Sequence, residues 1–507
     1  MNSGSATLGY GVAAAGLDWR AIDGLGAKRL ATDSRTIRRG DTFIAYPGET
    51  QDGRRYIPQA IANGARAVLW EKRGFKWQSA WRVPNLGVSN LRANAGLIAS
   101  HVHADPSARL WMVGVTGTNG KTTCSQWIAR ALDESGMRSA VIGTLGHGMR
   151  GRLRPLVNTT PDAVWLHAQL AEYLRRKARA VSMEVSSIGL EQDRHAGVQF
   201  DVAMFTNLTR DHLDYHRTMP RYRRAKARLF ECESLKHAII NVDDNYGAEL
   251  AKTVKRRGLK VVEFGFNRIS GRRASHVTGS NLAADTRGLR FDIATPWGRA
   301  HIASRMLGRF NALNLLGTLA VLLVSGVSLR KAVAAVSHVV PVPGRMQTMG
   351  GGTRPLVVVD YAHTPDALYQ VLGTLRETFT TPDMQSAARN PRLACVFGCG
   401  GERDRGKRPL MGAIAARLAD RVILTNDNPR NEDALTIADD VLGGMECDSE
   451  IDLNRARAIQ RAIRGAQRGD VVLIAGKGHE YYQEIKGIRH PFSDMDVARD
   501  ALKRWPA

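Results

Sequence analysis

The chain has 507 residues, of which 43% are hydrophobic and 24% are charged, and its formal net charge is +24. This composition fits a soluble globular protein with an ample core rather than a disordered chain, and the length predicts two to four domains. The positive charge is compatible with an anionic partner such as nucleic acid, a membrane surface or a phosphorylated substrate. However, Lys and Arg are scattered, and the short clusters at 221–224 and 255–257 lack a run of interleaved aromatic residues. This pattern favours a basic surface without a specific nucleic-acid site.

The cysteines and the apolar segments predict where the protein works. The five cysteines form no CxxC pair and no metal-binding spacing, which suits a reducing compartment. The first twenty residues lack the basic and long apolar regions of a signal peptide. The apolar segment 310–329 contains Asn311, Asn314 and two glycines, so it predicts a buried helix rather than a membrane span. We therefore expect a cytoplasmic protein, and we expect it to be a monomer.

Residues 1–104 predict a small α/β domain. Short strand-like runs lie at 42–46 and 67–70, and helical patterns lie at 56–63 and 91–101. The polar turns at 33–35 and 48–53 are explained by ordinary loop chemistry when they are considered alone. Asp105-Pro106-Ser107 has the composition of a linker and marks the domain boundary.

The stretch 110–132 predicts a binding site for nucleotide phosphates. A buried strand at 110–115 is followed by a glycine-rich loop and a helical pattern at 124–132. In such loops, backbone N–H groups and the helix N-terminus face the phosphates. Lys121 would reach the outer phosphates, and Thr122 could hold Mg²⁺. The spacing departs from the standard phosphate loop, because the expected glycine is shifted from Val115 to Gly114.

Residues 105–342 predict a doubly wound α/β domain around this loop. Strand-like runs recur at 139–142, 180–183, 202–205, 237–241 and 261–264, mostly with helical stretches between them. Polar residues follow two of these strands, at 184–187 and at 206–216. The carboxyl ends of parallel strands are where such sheets bind ligands. Glu184 and His212 are therefore candidate ligands or supporting groups for Mg²⁺.

Residues 343–507 predict a third α/β unit, after the stiff boundary Pro341 to Arg345. Its strands at 356–359, 393–397, 421–425 and 471–475 each run into a charged or glycine-rich loop. A packed core does not require Arg, Asp and Glu at the strand ends. We expect these loops to bind a small zwitterionic or anionic molecule, since an arginine fork suits a carboxylate and paired acidic groups suit an ammonium.

Nine motifs along the chain together resemble one known family. In order they are TDSR (32–35), GTNGKTT (117–123), NTTP (158–161), MEVSS (183–187), TNLTRDHLDYH (206–216), DYAHTPD (360–366), GCGGERDRGKRPLM (398–411), DNPR (427–430) and GKGHE (476–480). Nearly the whole chain thereby resembles the Mur ligases, ATP-dependent amino-acid ligases of peptidoglycan precursor synthesis. DNPR is typical of members that add meso-diaminopimelate to the D-glutamate γ-carboxylate of UDP-N-acetylmuramoyl-L-alanyl-D-glutamate.

The resemblance implies a three-domain fold and a division of labour among the domains. Residues 1–104 would be a small N-terminal α/β domain that binds the UDP end of the substrate. Residues 105–342 would be a central doubly wound, P-loop-type ATPase domain. Residues 343–507 would be a Rossmann-like α/β domain that binds the amino acid.

The resemblance also assigns site residues, which fall into four groups. ATP contacts match Thr116, Gly117, Thr118, Asn119, Gly120, Lys121, Thr122, Asn311 and Asp360. Contacts to the UDP-muramoyl dipeptide match Thr32, Ser34, Glu49, Thr50, Gln51, Asn158, Thr159, Thr160, Ser186, Gln192 and Arg194. Diaminopimelate contacts match Arg403, Asp427, Asn428, Pro429, Arg430, Gly476 and Glu480. The catalytic and metal-binding groups match Lys121, Thr122, Glu184, His212 and Lys226.

Lys226 would pass as a surface lysine on sequence pattern alone. In the family the matching lysine is carried as a carbamate, which turns a cation into an anion that can position Mg²⁺. One position departs from the family, because Ile188 stands where relatives commonly have histidine after MEVSS.

Three other functions remain open at this point. A ligase that adds L-lysine would differ at DNPR. A folylpolyglutamate synthetase-like ligase would share the ATP loop but would lack DNPR and the whole first domain. A nucleic-acid-stimulated NTPase would use the +24 charge and would hydrolyse ATP without any amino acid.

Overall fold

The computed structural model describes residues 16–49, 51–149, 151–267, 275–379, 390–446 and 449–506. The first of its three large sheets has four parallel strands in the order β1-β2-β3-β4. Its strands and helices are α1 (Trp19–Gly24), β1 (Leu30–Ala31), β2 (Thr42–Ala45), α2 (Ile57–Ala62), β3 (Ala67–Glu71), β4 (Asn85–Val88) and α3 (Leu91–Val102). Alternate side chains of the strands pack into two small apolar clusters on opposite faces, as a three-layer α/β domain requires.

The second sheet has ten strands and carries the glycine-rich loop. Its strand order is β14-β13-β12-β11-β10-β9-β5-β8-β6-β7. The strands are β5 (Trp111–Thr116), β6 (Ser139–Gly143), β7 (Gly146–Met149), β8 (Ala180–Glu184), β9 (Val202–Phe205), β10 (His237–Asn241), β11 (Lys260–Gly265), β12 (His276–Asp285), β13 (Gly288–Thr295) and β14 (Gly298–Ser304). The helices are α4 (Lys121–Glu134), α5 (Ala163–Arg175), α6 (Ser187–Glu191), α7 (Leu213–His216), α8 (Met219–Ala227), α9 (Asn245–Arg256), α10 (Arg309–Val324) and α11 (Leu329–Ser337).

Two apolar cores lie on opposite faces of this second sheet. Val113 of β5 packs into the core with α4, α10 and α11, whereas its neighbour Met112 packs into the core with α5 and α9. Successive strand residues point to opposite faces, so helices cover both. The predicted doubly wound arrangement is therefore confirmed.

One prediction in this domain is confirmed with a shorter range, and three strands were not predicted. The helix predicted at 310–329 is buried, but it ends at Val324, and Gly326 with a φ of 84° lies between it and a second helix. The antiparallel strands β12 to β14 were not predicted. No helix in the described ranges is long and apolar enough to cross a membrane.

The third sheet has six strands in the order β15-β16-β20-β17-β18-β19, and a separate hairpin follows it. Its strands are β15 (Gln347–Gly350), β16 (Leu356–Asp360), β17 (Leu393–Phe397), β18 (Arg421–Leu424), β19 (Glu450–Ile451) and β20 (Val471–Ala475), and the hairpin is β21 (Tyr482–Ile485) with β22 (Ile488–Pro491). The helices are α12 (Pro365–Phe379), α13 (Arg408–Leu418), α14 (Ala434–Leu442), α15 (Arg455–Arg464) and α16 (Asp494–Lys503).

The five strands from β16 to β20 are parallel, so their carboxyl-terminal loops share one edge of the third sheet. The predicted fold class, with three successive α/β units, is thereby confirmed. The limits at 104/105 and 342/343 stay predictions.

A buried histidine makes the stability of the central domain sensitive to acid. His167 of α5 is 0% exposed, and its Nε2 lies 2.9 Å from the carbonyl oxygen of Ala196. Burial lowers the pKa of His167 from its ordinary value of 6.5 to about 4. The unfolded chain takes up a proton at this ring below pH 6.5 and the folded chain does not until about pH 4. Stability must therefore fall as the pH falls through this window.

We expect replacement of His167 by glutamine to flatten the pH dependence of unfolding. The wild type should lose up to about 3 kcal/mol between pH 6.5 and 4 through this ring alone. Urea unfolding of both proteins across this range measures the difference. Parallel slopes for wild type and variant would contradict the assignment.

Candidate active site

The glycine-rich loop joins β5 to α4 and contains two glycines that the backbone requires. Gly117 has a φ of 149°, and a Cβ there would lie 1.8 Å from Thr206 Oγ1. Gly120 has a φ of 83°, and a Cβ there would lie 2.6 Å from Asn314 Oδ1. Gly114, in contrast, lies within β5, where a Cβ would meet the Phe200 ring at 2.9 Å. The unusual spacing thus has a packing cause, and the loop itself is held by Gly117 and Gly120.

Lys121 begins α4 and folds back over the loop. Its Nζ donates hydrogen bonds to the carbonyl oxygens of Gly117 at 2.9 Å and Thr118 at 2.8 Å. Desolvation lowers the pKa of Lys121 below its ordinary value. The ammonium therefore lies at the helix N-terminus, where a phosphate would accept its hydrogen bonds.

Thr122, in the first turn of α4, meets Glu184 at the carboxyl end of β8. Thr122 Oγ1 donates to Glu184 Oε2 at 2.9 Å, and the Thr144 backbone N–H donates to Glu184 Oε1 at 2.7 Å. Glu184 is 0% exposed, so these contacts fix a buried carboxylate beside the loop. A hydroxyl and a carboxylate are oxygen ligands of the kind that Mg²⁺ prefers.

His212 precedes α7 with a φ of 53°, and its Nε2 lies 3.3 Å from Asp211 Oδ2. Burial lowers the pKa of His212, which favours the neutral ring that can bind a metal. Among the described residues, no three His, Cys, Asp or Glu side chains lie close enough together to hold a metal ion. The candidate metal ligands here are therefore the Thr122 hydroxyl, the Glu184 carboxylate and the His212 imidazole.

Lys226 is buried beside the loop rather than exposed on the surface. It lies on α8, is 1% exposed, and its Nζ donates to the Gly117 carbonyl oxygen at 2.7 Å. The same nitrogen lies 4.4 Å from the centroid of the Tyr222 ring. Burial and the nearby ammonium of Lys121 lower the pKa of Lys226 well below its ordinary value. Its amine is therefore easier to obtain in the neutral form than that of a surface lysine.

A cavity of about 480 Å³ lies between the second and third sheets and brings these groups together. The predicted residues that line it are Thr118, Asn119, Gly120, Lys121, Thr122, Thr159, Glu184, Ser186, His212, Lys226, Asn311 and Asp360. Asn311 is 6% exposed and Asp360 is 7% exposed, and Asp360 Oδ2 accepts from the Met346 N–H at 2.7 Å. Asn119 Nδ2 donates to Asp366 Oδ2 at 3.0 Å, which ties the loop to the third α/β unit.

Arg345 is a site residue that the sequence analysis missed. Its guanidinium lies 4.3 Å from the Tyr361 ring centroid, and its Nη2 donates to Thr122 Oγ1 at 3.3 Å. A cation from the third α/β unit therefore reaches the phosphate loop. The stiff Pro-rich boundary before it identified a linker, but nothing in that pattern indicated where the arginine would point.

Some of the residues predicted to bind the UDP-muramoyl dipeptide lie near the contact between the first and the central α/β units. Glu49 Oε1 accepts from Tyr215 Oη at 2.8 Å, and Gln192 Nε2 donates to the same Tyr215 oxygen at 3.3 Å. Arg194 Nη1 donates to the Thr160 carbonyl oxygen at 2.9 Å. The contact between Glu49 and Tyr215 joins the first α/β unit to the central one, and the other two lie within the central unit.

Other members of this predicted group are less closely tied together. Ser34 Oγ donates to Gln59 Oε1 at 2.7 Å and is buried, whereas Asn158 is exposed. Thr32 is half-buried, and Gln51 Oε1 accepts from Tyr56 Oη at 2.9 Å. Thr50 lies outside the described residues.

The residues predicted for diaminopimelate meet at the carboxyl ends of β17, β18 and β20. Asn428 Nδ2 donates to Glu480 Oε2 at 2.9 Å. Gly476 has a φ of 110°, and a Cβ there would lie 2.5 Å from Asp427 Oδ2. Pro429 lies against Gly401, because a Cβ on that glycine would come within 2.0 Å of the Pro429 carbonyl oxygen.

Two arginines stand at this end of the site. Arg430 has a φ of 53°, and its Nη1 donates to the Gly401 carbonyl oxygen at 2.6 Å. Arg403 is exposed and lies 3.9 Å from Asp214 Oδ2 of the central unit. Arg430 therefore has a fixed direction, whereas Arg403 stands at the border between two units.

Family models match three successive parts of the chain. The model described as Mur ligase family, catalytic domain, matches residues 27–103, the Mur ligase middle domain matches 115–322, and the Mur ligase glutamate ligase domain matches 344–478.

The chain belongs to the Mur ligase family.

Individual Mur ligases are similar over nearly the whole length. A protein of Nitrosomonas europaea named UDP-N-acetylmuramoyl-L-alanyl-D-glutamate--2,6-diaminopimelate ligase is 50% identical, with 94% of this chain and 93% of that protein covered. A protein of the same name from Chromobacterium violaceum is also 50% identical, with 95% of each covered. A solved structure of a ligase with this name is 38% identical over 94% of this chain and 95% of that chain, with a TM-score of 0.66.

A more distant structure shares the fold alone. The folylpolyglutamate synthase of Mycobacterium tuberculosis is 18% identical over 76% of this chain, with a TM-score of 0.61. The family of the three α/β units therefore rests on the Mur ligase matches.

Proposed function

We propose that this Mur ligase adds meso-diaminopimelate to the D-glutamate γ-carboxylate of UDP-N-acetylmuramoyl-L-alanyl-D-glutamate, with ATP as the energy source. The observation that carries the proposal is the identity of 50%, over 94–95% of this chain, to ligases named for this amino acid and this acceptor. The DNPR loop, with Arg430 and the buried Asp427, supports it. The reaction would supply a peptidoglycan precursor.

The first chemical step activates the carboxylate. Its oxygen attacks the γ-phosphorus of ATP, the bond to the β,γ-bridging oxygen breaks, and an acyl phosphate and ADP form. Lys121 and the loop N–H groups neutralise the charge that spreads over the phosphoryl oxygens. Arg345 reaches the same region from the third unit, so closure of the two units would complete this set of charges.

The second step forms the amide. The neutral amine of diaminopimelate attacks the acyl carbon, a tetrahedral intermediate forms, and phosphate leaves as the amine loses a proton to solvent. No side-chain nucleophile is needed, because positioning the two reactants removes most of the barrier. Asp427 and Glu480 suit an ammonium of the amino acid, and Arg430 suits a carboxylate.

Thr122, Glu184 and His212 would hold Mg²⁺ on the floor of the cavity. When bound, Mg²⁺ supplies positive charge to the phosphate oxygens of ATP. The buried Glu184 carboxylate is already oriented for this role by its contacts with Thr122 and Thr144. Thr122 and Thr144 therefore fix the orientation of the Glu184 carboxylate that would bind the metal.

Lys226 would join this set as a carbamate. The ammonium would lose one proton, and the resulting amine would add to CO₂ through a new N–C bond and release a second proton, so an anion replaces a cation beside the phosphate loop. The support is its position: an amine that is 1% exposed, next to Lys121, in the cavity that contains Glu184 and His212. A permanently charged lysine would instead repel the metal.

Oxygen transfer tests the acyl phosphate directly. The UDP-muramoyl dipeptide is labelled with ¹⁸O in the D-glutamate γ-carboxylate and is incubated with the enzyme, ATP and meso-diaminopimelate. We expect one ¹⁸O atom in each phosphate released and a product of the mass of the UDP-muramoyl tripeptide. Product without ¹⁸O in the phosphate would contradict this mechanism, and absence of the product would contradict the function.

A further inference from the structure

The ammonium of Lys477 is completely buried beneath the amino-acid end of the site. Lys477 lies in the loop after β20, and its side chain is 0% exposed. Burying an ammonium is costly unless partners satisfy its charge and its three protons. Nζ lies 2.8 Å from Glu480 Oε2, 3.0 Å from Asn428 Oδ1 and 3.8 Å from Asp427 Oδ1. The lysine therefore holds together three of the residues predicted to bind diaminopimelate.

Lys477 fixes the orientation of the Asn428 amide. The ammonium only donates hydrogen bonds, so the atom facing it must be the amide oxygen. The Glu484 backbone N–H, from the hairpin strand β21, donates to the same oxygen at 2.9 Å. Nδ2 is thereby directed at Glu480 Oε2, to which it donates at 2.9 Å. The Asn428 oxygen is consequently engaged by the protein rather than offered to a ligand.

The carboxylate of Glu480 is left with one oxygen for a ligand. Its Oε2 accepts from both Lys477 and Asn428, whereas its Oε1 has no hydrogen-bond partner within the described ranges. The Glu480 side chain is 17% exposed, so it is not fully closed off from its surroundings. Two carboxylates, Asp427 and Glu480, balanced by one ammonium leave a single negative charge, which matches one ammonium of a ligand.

We propose that Lys477 is a positioning residue that presents Glu480 Oε1 to the amino group of diaminopimelate that does not react. Lys477 does not touch the amino acid, and it acts by holding Oε2 and the Asn428 amide in place. The inference rests on the proposed function, because it presumes that diaminopimelate binds at the loops that follow β17, β18 and β20. Glu480 Oε1 would then accept a hydrogen bond from the second amino group, and Lys477 would orient the Glu480 carboxylate.

A substrate that lacks only the second amino group tests this role. L-2-Aminopimelate keeps the reacting amine and both carboxylates. In the wild type, kcat/KM for meso-diaminopimelate should exceed that for L-2-aminopimelate by about 100-fold or more, since a site built to bind a polar group rejects the analogue without it. In Lys477→Met, of similar length but uncharged, the ratio should fall below about 10-fold. The KM for ATP should change by less than about twofold.

If Lys477 had only a structural role, the kcat/KM values would change differently. Both amino acids would then lose kcat/KM equally, so an unchanged ratio in Lys477→Met overturns the proposal, and so does a larger one. The matched control is Arg421→Met, which removes the Arg421 contact with Glu450 at 2.7 Å in the same α/β unit. This control should leave the ratio at its wild-type value.

A second variant keeps the proposal testable if Lys477→Met does not fold. Asn428→Asp retains an acceptor for the buried ammonium but removes the N–H that points at Glu480, so the ratio should again fall below about 10-fold. A wild-type ratio in this variant overturns the proposal. Failure of the proposed function is distinguishable, because the wild type would then show no diaminopimelate-dependent release of phosphate at all.

Discussion

Replacing Lys226 with alanine is expected to lower kcat by about 10³-fold. Lys226 is buried beside the phosphate loop, where its proposed carbamate would position charge at the reacting phosphoryl group. Thr206 Oγ1 also donates to the Asn119 carbonyl oxygen of the phosphate loop at 2.6 Å, so the variant should bind ATP and unfold at a temperature close to that of the wild type. Steady-state phosphate release and thermal unfolding give the two measurements.

The carbamate itself has a signature that does not depend on activity. Incubation with ¹³C-bicarbonate should produce one slowly exchanging carbamate carbon signal in the wild type and none in Lys226→Ala. The matched control is Lys255→Ala, which removes a half-exposed lysine paired with Glu263 and should keep both the signal and the turnover. Near-normal turnover of Lys226→Ala would remove the carbamate from the mechanism.

Replacing Arg430 with alanine is expected to raise the KM for meso-diaminopimelate by about 100-fold and to leave the KM for ATP within about twofold. The Arg430 guanidinium is directed by its contact with the Gly401 carbonyl oxygen, and a charged fork at this position suits the distal carboxylate. Initial rates with each substrate varied in turn provide the measurement.

Two further variants separate charge from geometry at this position. Arg430→Lys keeps the positive charge but loses the planar fork, so it should recover only part of the affinity. Arg405→Ala removes a nearby exposed arginine that pairs with Glu432, and it should leave both KM values unchanged. An equal rise in the KM for ATP and for diaminopimelate would contradict the role of Arg430.

The sequence allowed the fold to be predicted where the residue pattern is local. The loop after β5 has a strand before it, two required glycines and a helix after it, and each of these leaves a signal within a few residues. The strands β12 to β14 were missed, although Leu289, Phe291 and Ile293 alternate with more exposed residues along β13. Alternation of period two was the available signal, and it predicts a strand with one buried face.

The site was harder to predict because its members come from distant parts of the chain. Arg345 and Thr122 are in contact, yet 223 positions separate them. Lys226 and Lys477 are both buried, which no pattern of neighbouring residues indicated. The family resemblance suggested the role proposed for Lys226, whereas the contacts of Lys477 with Asn428 and Glu480 are visible only in three dimensions.

The dependence of phosphate release on the amino acid tests the central claim most directly. The full chain is incubated with ATP, Mg²⁺ and the UDP-muramoyl dipeptide, and meso-diaminopimelate, L-lysine or no amino acid is added. We predict rapid release with meso-diaminopimelate, a kcat/KM at least about 100-fold lower with L-lysine, which lacks the distal carboxylate, and only background release without an amino acid. Equal rates of phosphate release with L-lysine and meso-diaminopimelate would contradict the account, and so would release that does not depend on an amino acid.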